Sequence, residues 1–264
     1  MVLATGVTNV ITRHPAVLAH SFATLDELSG GRAILGVGVG ESAIYNIGHK
    51  PARLKRMEEV IQVLRTLMAG DTAHFDGMDI KVSWPPRKVP VVIACTGPRS
   101  LQLAGRIADG VLFQVGSDPA LVRYAKKNID IGARQAGRKL SDIKLYQRLA
   151  CAVSDNREQV RAEARGYASV AAGTIYSAVP KEDMPAALWE DLRIMKEQYD
   201  YQQHGSMDAK HAELITDRIL DAVTRLADHP RMGRKVPEAN EAHIRELIVQ
   251  SQRVIYAVDD SNES

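Results

Sequence analysis

Apolar and polar positions along the chain form two alternating kinds of segment. Short apolar runs rich in β-branched residues are too continuous for strands with one solvated face. They predict buried strands at Val2–Thr5, Ala33–Val37, Val91–Ala94, Gly110–Gln114, Lys144–Val153 and Arg253–Val258. Between them, helical spacing of apolar residues predicts helices near Ala16–Ser29, Arg53–Ala69, Arg99–Ala108, Pro119–Ala136 and Arg157–Ala171. This alternation predicts an α/β fold with a parallel sheet, either doubly wound or closed as a (β/α) barrel.

The pattern changes between about residues 173 and 234, where helical periodicity continues without a strong strand. We interpret this stretch as a helical insertion that caps a single domain spanning residues 1–264, because a second core would need more apolar material. The segment 240–252 is expected to lead into the last strand.

Composition narrows the class of function. The 264 residues carry a formal net charge of +2, with basic and acidic residues interspersed, so the footprint of a nucleic-acid-binding protein is absent. Cys95 and Cys151 lie far apart in apolar runs, which favours reduced buried thiols. The sequence has no signal segment and no apolar run of membrane-spanning length, so we expect a cytoplasmic protein that acts on a small molecule.

A glycine-rich segment, "AILGVGVGESA", places Gly36, Gly38 and Gly40 at the end of a predicted strand. The next long helix begins only near Arg53, so a dinucleotide-binding phosphate turn fits poorly. The glycines allow either close approach of the backbone to a flat ligand or simply a packed turn. Glu41, directly after them, is either a ring contact and proton donor or a solvated loop residue.

A second glycine site is "IACTGPRS", where a strand ends in Cys95, Thr96 and Gly97 and Pro98 opens a helix. Backbone N–H groups at such a helix start can bind a ligand phosphate, and the alternative is an unliganded helix start. The histidines show no spacing typical of metal ligands, and we expect no metal. No hydrolase or kinase motif is present.

These segments together resemble the luciferase-like superfamily of flavin- and deazaflavin-dependent oxidoreductases. The resemblance rests on "TGVTNVITRHPAVLAHSFATLDELSGGRAILGVGVGESA", "IGHKPARLKRMEEVIQVLRTLMAG" and "VPVVIACTGPRSLQLAGRIADGVLF". It is strongest over residues 2–116 and points to the branch that contains methylenetetrahydromethanopterin reductase. The resemblance implies a TIM (β/α)8-type barrel that holds its cofactor at the C-terminal face.

By the same resemblance, "VLATGVTN" corresponds to the third strand of the barrel. The implied architecture is an incomplete barrel of about six strands, from the third to the eighth, that lacks the first two β/α units. Exposed strand edges and core positions would favour association, so a homodimer is expected.

The resemblance also implies roles for individual residues. Thr5, Gly6, Val7 and Thr8 would form a bulge behind the ring, with a cis peptide between Gly6 and Val7. Gly38, Gly40, Glu41 and Ser42 would line the ring, with Glu41 as the catalytic proton donor. Cys95, Thr96, Gly97 and Pro98 would receive the cofactor phosphate, and Gln114, Gly116 and Ser117 would lie at the substrate mouth.

The implied activity is hydride transfer between a deazaflavin, coenzyme F420, and a small organic substrate. Two alternatives remain open. One is a monooxygenase that uses reduced FMN and oxygen, and the other is an inactive truncated flavin-binding or assembly protein. The sequence gives no motif for the substrate.

Overall fold

The computed structural model describes residues 2–149, 156, 171–198, 229, 231–232, 234–235, 244–249 and 252–257. These residues belong to two units. One comprises Val2–Leu149 and Thr174–Trp189, and the other comprises residues 150–173 together with Glu190–Ser264.

The first unit is built on strands β1 (Leu3–Ala4), β2 (Thr8–Asn9), β3 (Ala33–Gly38), β4 (Ala73–Phe75), β5 (Met78–Ile80), β6 (Val91–Cys95), β7 (Gly110–Phe113) and β8 (Lys144–Gln147). Its main sheet has the order β1-β3-β6-β7-β8, with β2 also paired to β3, and every pairing in it is parallel. The first four predicted strands are therefore confirmed, and these strands form a partial barrel. The fifth, predicted at Lys144–Val153, is confirmed over Lys144–Gln147 only, since residues 148–149 are not strand and residues 150–153 lie outside the described residues.

Helices connect these strands, and each of them except a short one at Ser42–Tyr45 lies where the periodicity predicts a helix. They are α1 (Pro15–Leu28), the short α2 (Ser42–Tyr45), α3 (Leu54–Met68), α4 (Pro98–Ile107) and α5 (Pro119–Gln135), with a 3₁₀ turn at Leu140–Asp142. The N–H of Ala16 donates to Nδ1 of His14 at the start of α1, and the N–H of Ala120 donates to Asp118 at the start of α5. Side-chain caps of this kind satisfy N–H groups that the helix itself leaves free.

The core lies between the sheet and the helices. Leu35 and Val37 of β3, Ile93 of β6 and Val111 of β7 have no exposed surface and share one face of the sheet, as their register shows. Helix α3 contributes fully buried side chains to the core, namely Met57, Val60, Ile61 and Leu64. Burial on this scale holds the layers together, and the parallel pairing of the strands places their carboxyl ends at one edge.

The antiparallel hairpin of β4 and β5 was absent from the predicted elements. Its turn contains Asp76 and Gly77, both with positive φ (49° and 80°). Arg56 of α3 donates two hydrogen bonds to Asp76, at 2.8 and 2.7 Å, and its guanidinium lies 4.2 Å from the centre of the Phe75 ring. These contacts hold the hairpin against the first turn of α3.

The predicted helical insertion is described in part. Residues 171–178 are helical (α6), followed by a 3₁₀ turn at Lys181–Asp183 and by α7 (Ala186–Gln198). Residues 199–228 of the insertion, Cys151 and most of the helix predicted at Arg157–Ala171 lie outside the described residues. No helix within the described part has the length and hydropathy to cross a membrane.

The last predicted strand requires a correction. Strand β11 (Gln252–Ala257) pairs antiparallel with β10 (Ile244–Val249), which in turn pairs antiparallel with β9 (Arg234–Lys235). The three form a sheet of their own among the described residues, so the prediction of a sixth parallel strand here is wrong. Two residues separate β10 from β11, and so short a connection can join only antiparallel strands, whereas parallel strands need a crossover.

Candidate active site at the carboxyl edge of the sheet

The residues singled out by the sequence lie where the parallel strands end. Because β1 to β3, β6 and β7 run in the same direction, their carboxyl ends share one edge of the sheet. This edge is where (β/α) barrels build their active sites from the loops that follow the strands.

The first component is a bulge between β1 and β2. Ala4 pairs with Ile34 and Thr8 with Val37, so three residues, Thr5 to Val7, face two residues of β3. The hydroxyl of Thr5 donates to the carbonyl of Gly36 at 2.8 Å and accepts the N–H of Gly36 at 3.0 Å. The Thr5 side chain thereby replaces the strand hydrogen bonds that the bulge removes. The Gly6–Val7 peptide is cis, which confirms that implication of the resemblance.

Two glycines of β3 hold the bulge close. A Cβ on Gly36 would lie 1.9 Å from the carbonyl oxygen of Thr5, so a larger residue cannot occupy this position without moving the bulge. A Cβ on Gly38 would lie 3.3 Å from Cγ2 of Val7 and 3.8 Å from Cβ of Ala94 in β6. The bulge, β3 and β6 are therefore in close contact around Gly38.

The turn after β3 requires Gly40 and packs against Asn9, a residue that sequence reasoning missed and that holds the segment after β2. Gly40 has φ of +77°, and a Cβ there would lie 2.5 Å from Cγ1 of Ile44 and 2.9 Å from Cβ of Asn9. Asn9 is buried, and its Oδ1 accepts the N–H groups of Ile11 (3.0 Å) and Thr12 (2.9 Å). An asparagine two residues before a turn is a signal of this kind of local bond.

Glu41 follows this turn at the surface. Its side chain is exposed, and its backbone carbonyl accepts the N–H groups of Ile44 and Tyr45 at the start of α2, which begins at Ser42. An exposed carboxylate next to the glycines is free to reach a ligand at this edge. Its proposed catalytic role remains a prediction.

The second component is the end of β6. Desolvation raises the pKa of the Cys95 thiol above its ordinary value, so this cysteine is held in its neutral form. The hydroxyl of Thr96 donates to the carbonyl of Gln114 at 3.4 Å, and the hydroxyl of Tyr124 donates to the carbonyl of Thr96 at 3.4 Å. Gly97 precedes α4 and Pro98 is its first residue, and no side chain caps this helix.

Tyr124 was also missed by the sequence analysis. It is a buried residue of α5, and burial raises the pKa of its hydroxyl, with the charge of Asp183 acting in the same direction. A single tyrosine within an amphipathic helix pattern carries no signal of contact with a strand end.

The predicted substrate mouth lies beside this second component. Gly116 has φ of +73°, and its carbonyl accepts a hydrogen bond from the side chain of Gln147 in β8. Cδ1 of Ile175 would lie 3.6 Å from a Cβ on Gly116, and the carbonyl oxygen of Ala178 would lie 3.4 Å from a Cβ on Gly97. The last turns of α6 thus pack beside Gly97 and Gly116, while Ser117 is exposed.

The structure thus brings the predicted residues together in two adjacent groups, one at the bulge and the β3 turn and one at the end of β6. Gly38 and Ala94, on neighbouring strands, link the two groups. Among the described residues, no three His, Cys, Asp or Glu side chains are grouped so that they could hold a metal ion.

Comparison with known proteins gives a consistent picture. Residues 1–246 match the family described as luciferase-like monooxygenase. The chain is 30% identical over 263 residues to 5,10-methylenetetrahydromethanopterin reductase from Archaeoglobus fulgidus, covering 94% of this chain and 76% of that protein. It is 33% identical over 172 residues to the F420-dependent glucose-6-phosphate dehydrogenase of Microbacterium testaceum, covering 60% of this chain and 51% of that one.

A solved structure with the same fold is the coenzyme F420-dependent tetrahydromethanopterin reductase from Methanopyrus kandleri. It aligns with a TM-score of 0.58 and 24% identity, over 79% of this chain and 67% of the solved one. This likeness supports the assignment of the fold as a luciferase-like barrel.

Proposed function

The chain belongs to the luciferase-like monooxygenase family, and we propose that it is a coenzyme F420-dependent oxidoreductase that transfers a hydride between the deazaflavin and a small organic substrate. The observation that carries the proposal is the identity of 30% with a methylenetetrahydromethanopterin reductase across 94% of the chain. A second relative is an F420-dependent dehydrogenase of a different substrate, so the relatives support the cofactor more firmly than the substrate.

The bulge at the carboxyl edge suits a flat ring. No atom lies within 4 Å of the position that a Cβ would take on Gly6, and the side chain of Val7 is 41% exposed. The edge therefore presents open space next to an apolar surface, while Thr5 and Gly36 hold the backbone behind it in place. A deazaflavin ring against Gly6 and Val7 would bury this apolar surface.

The phosphate of the cofactor would bind at the start of α4. Gly97 leaves the first N–H groups of the helix without a side-chain cap, and the helix dipole favours an anion there. Tyr124 and Ser100 hold the loop, since Tyr124 donates to the carbonyl of Thr96 and Ser100 donates to that of Gly97 at 2.8 Å.

When it is bound, the deazaflavin supplies the hydride chemistry, and the chain supplies orientation and proton transfer. Gly38 and Val7 would orient the ring, and Glu41 would hold or deliver a proton at the substrate atom that gains or loses charge. The α6 residues beside Gly97 and Gly116 would exclude water from one side of the site.

Titration of the chain with F420 and with FMN, followed by ring absorbance, tests the proposal. We expect F420 to bind and Gly6→Val to weaken binding by at least about tenfold, since the new side chain fills the space for the ring. The melting temperature should change by less than about 2 °C, because nothing in the protein is displaced. Ala136→Val, which adds a similar volume at an exposed site after α5, serves as the control.

Two results would contradict the proposal. Binding of FMN with oxygen consumption, and no binding of F420, would favour the monooxygenase. An F420 affinity that is unchanged in Gly6→Val would show that the ring does not bind at the bulge. A panel of candidate substrates, including a methylene-tetrahydropterin, glucose 6-phosphate and secondary alcohols, then identifies the hydride donor or acceptor from F420 absorbance.

A further inference from the structure

We propose that four cations at the carboxyl edge, Lys50, Arg53, Lys55 and Arg99, bind the anionic tail of the deazaflavin cofactor. We call these residues the basic rim. The inference rests on the proposed function, and it adds a binding site for the carboxylate groups of the cofactor, beyond the sites proposed for the ring and for the phosphate.

The fold brings the basic rim to the candidate site. Lys50 and Arg53 lie in the loop from β3 to α3, Lys55 is in the first turn of α3, and Arg99 is the second residue of α4. Strands β3 and β6 are hydrogen-bonded neighbours, so the helices that follow them start side by side. Packed helices lie about 8–10 Å apart, which a lysine or arginine side chain can span.

No described acidic residue pairs with the basic rim. All four side chains are exposed, and none makes an ion pair with another described residue. Arginines elsewhere in the same helices are paired: Arg56 with Asp76 and Glu59, and Arg106 with Glu58. The sequence contains no acidic residue between Glu41 and Glu58, so the segment has no negative charge of its own.

Stabilisation of the helices does not explain why cations occupy these positions. Positive side chains in the first turn of a helix oppose its dipole, which favours negative groups there. Helices α1 and α5 begin with a side-chain cap from His14 and Asp118, whereas α3 and α4 begin with Arg53 and Gly97 and no such cap. A bound polyanion would reverse the unfavourable interaction at both helices.

The chemistry of the cofactor matches this surface. Coenzyme F420 extends from its ring through a phosphodiester to glutamate carboxylates, and so carries several negative charges along one chain. With the ring at the bulge and the phosphate at Gly97, the rest of the tail would leave the site at the carboxyl edge, where the basic rim lies. Exposed ion pairs of this kind contribute modestly each and add up when several act together.

The test compares F420 with its precursor deazaflavin, FO, which has the same ring and lacks the phosphate and glutamates. The variant is the full chain with Lys50→Gln, Arg53→Gln and Arg99→Gln. We expect it to bind F420 about tenfold more weakly and FO as tightly as the unmodified chain does, the sum expected from three exposed ion pairs. Raising the salt concentration should weaken F420 binding to the unmodified chain and reduce the difference.

The matched control removes the same charge from α5, by Arg123→Gln, Lys126→Gln and Lys127→Gln, three exposed cations in the interior of that helix. It should bind both deazaflavins normally. An F420 affinity that is unchanged in the rim variant, or lowered equally in the control, overturns the inference. If the unmodified chain binds neither deazaflavin, the proposed function fails and this inference fails with it.

A last experiment distinguishes two anionic ligands that the basic rim could bind, the cofactor tail and a phosphorylated substrate. Glucose 6-phosphate is titrated against each variant with FO already bound. Loss of sugar phosphate affinity in the rim variant, with F420 affinity intact, would assign the basic rim to an anionic substrate and contradict the assignment to the cofactor tail.

Discussion

Replacement of Thr5 by valine tests whether one hydroxyl holds the bulge at the candidate site. Valine has almost the same shape as threonine and favours strands, so packing and propensity predict no loss. The hydroxyl, however, satisfies both the N–H and the carbonyl of Gly36, which is buried in the middle of the sheet. Thr5→Val would leave both of these backbone groups without their partner.

The expected loss follows from the two orphaned groups. A buried polar group without a partner costs about 1–3 kcal/mol, and water at the exposed bulge lowers that cost in part. We therefore expect the free energy of unfolding to fall by about 2–4 kcal/mol. For a chain of this size each kcal/mol shifts the melting temperature by about 2–4 °C, so the shift should be about 4–16 °C.

Urea unfolding followed by circular dichroism measures the change. Thr5→Ser keeps the hydroxyl and should lose less than half as much stability as Thr5→Val. Thr66→Val is the matched control, because the Thr66 hydroxyl donates to the carbonyl of Gln62 on an exposed helix surface where water can replace it. If Thr5→Val is as stable as the unmodified chain, the hydroxyl does not support the bulge and the reasoning is refuted.

Two further predictions concern charged side chains. Glu41→Gln should lower turnover of F420 at least about tenfold while the melting temperature stays near that of the parent, since an exposed carboxylate adds little stability; parental turnover would return Glu41 to the role of a solvated loop residue. The hydrogen bond from Arg56 lowers the pKa of Asp76 below its ordinary 3.8. Its stabilisation is therefore complete above that pH and lost as the pH falls through the lowered value, so the stability difference between Asp76→Asn and the parent should vanish in acid; a difference that persists there in urea titrations would contradict this.

The sequence predicts the elements of the parallel sheet well because each has a strong local pattern. Strands such as Ala33–Gly38 are buried on both faces and read as continuous apolar runs, and α3 repeats its apolar residues with helical spacing. The cis peptide at Gly6–Val7 has no such pattern, and only the family resemblance implied it. Once the strands are predicted, the sequence also predicts that Gly40 and Gly97 lie at the ends of β3 and β6.

The two hairpins show where local reading was incomplete. The turn of the first, Asp76–Gly77, is a strong signal for a two-residue hairpin turn, and the short strands around it were hidden by the polar residues His74 and Asp79. The second hairpin joins Ile244–Val249 to Gln252–Ala257, and the expectation of a further parallel strand hid its antiparallel pairing. The apolar pattern therefore located the strand near residues 252–257, and the expectation of a barrel strand gave it the wrong pairing.

The glycines at the candidate site show what geometry adds to sequence. In the letters alone, Gly6 and Gly36 are equivalent, since both end or interrupt apolar runs. In the structure, a methyl group on Gly36 would strike the backbone of Thr5 at 1.9 Å, whereas one on Gly6 would meet no atom within 4 Å. Packing within the protein therefore requires glycine at position 36 but leaves room for a side chain at Gly6, where the proposed ring would lie. Thr5 binds Gly36 through its side chain and is followed directly by Gly6. The same bulge therefore excludes a side chain at Gly36 and leaves room for one at Gly6.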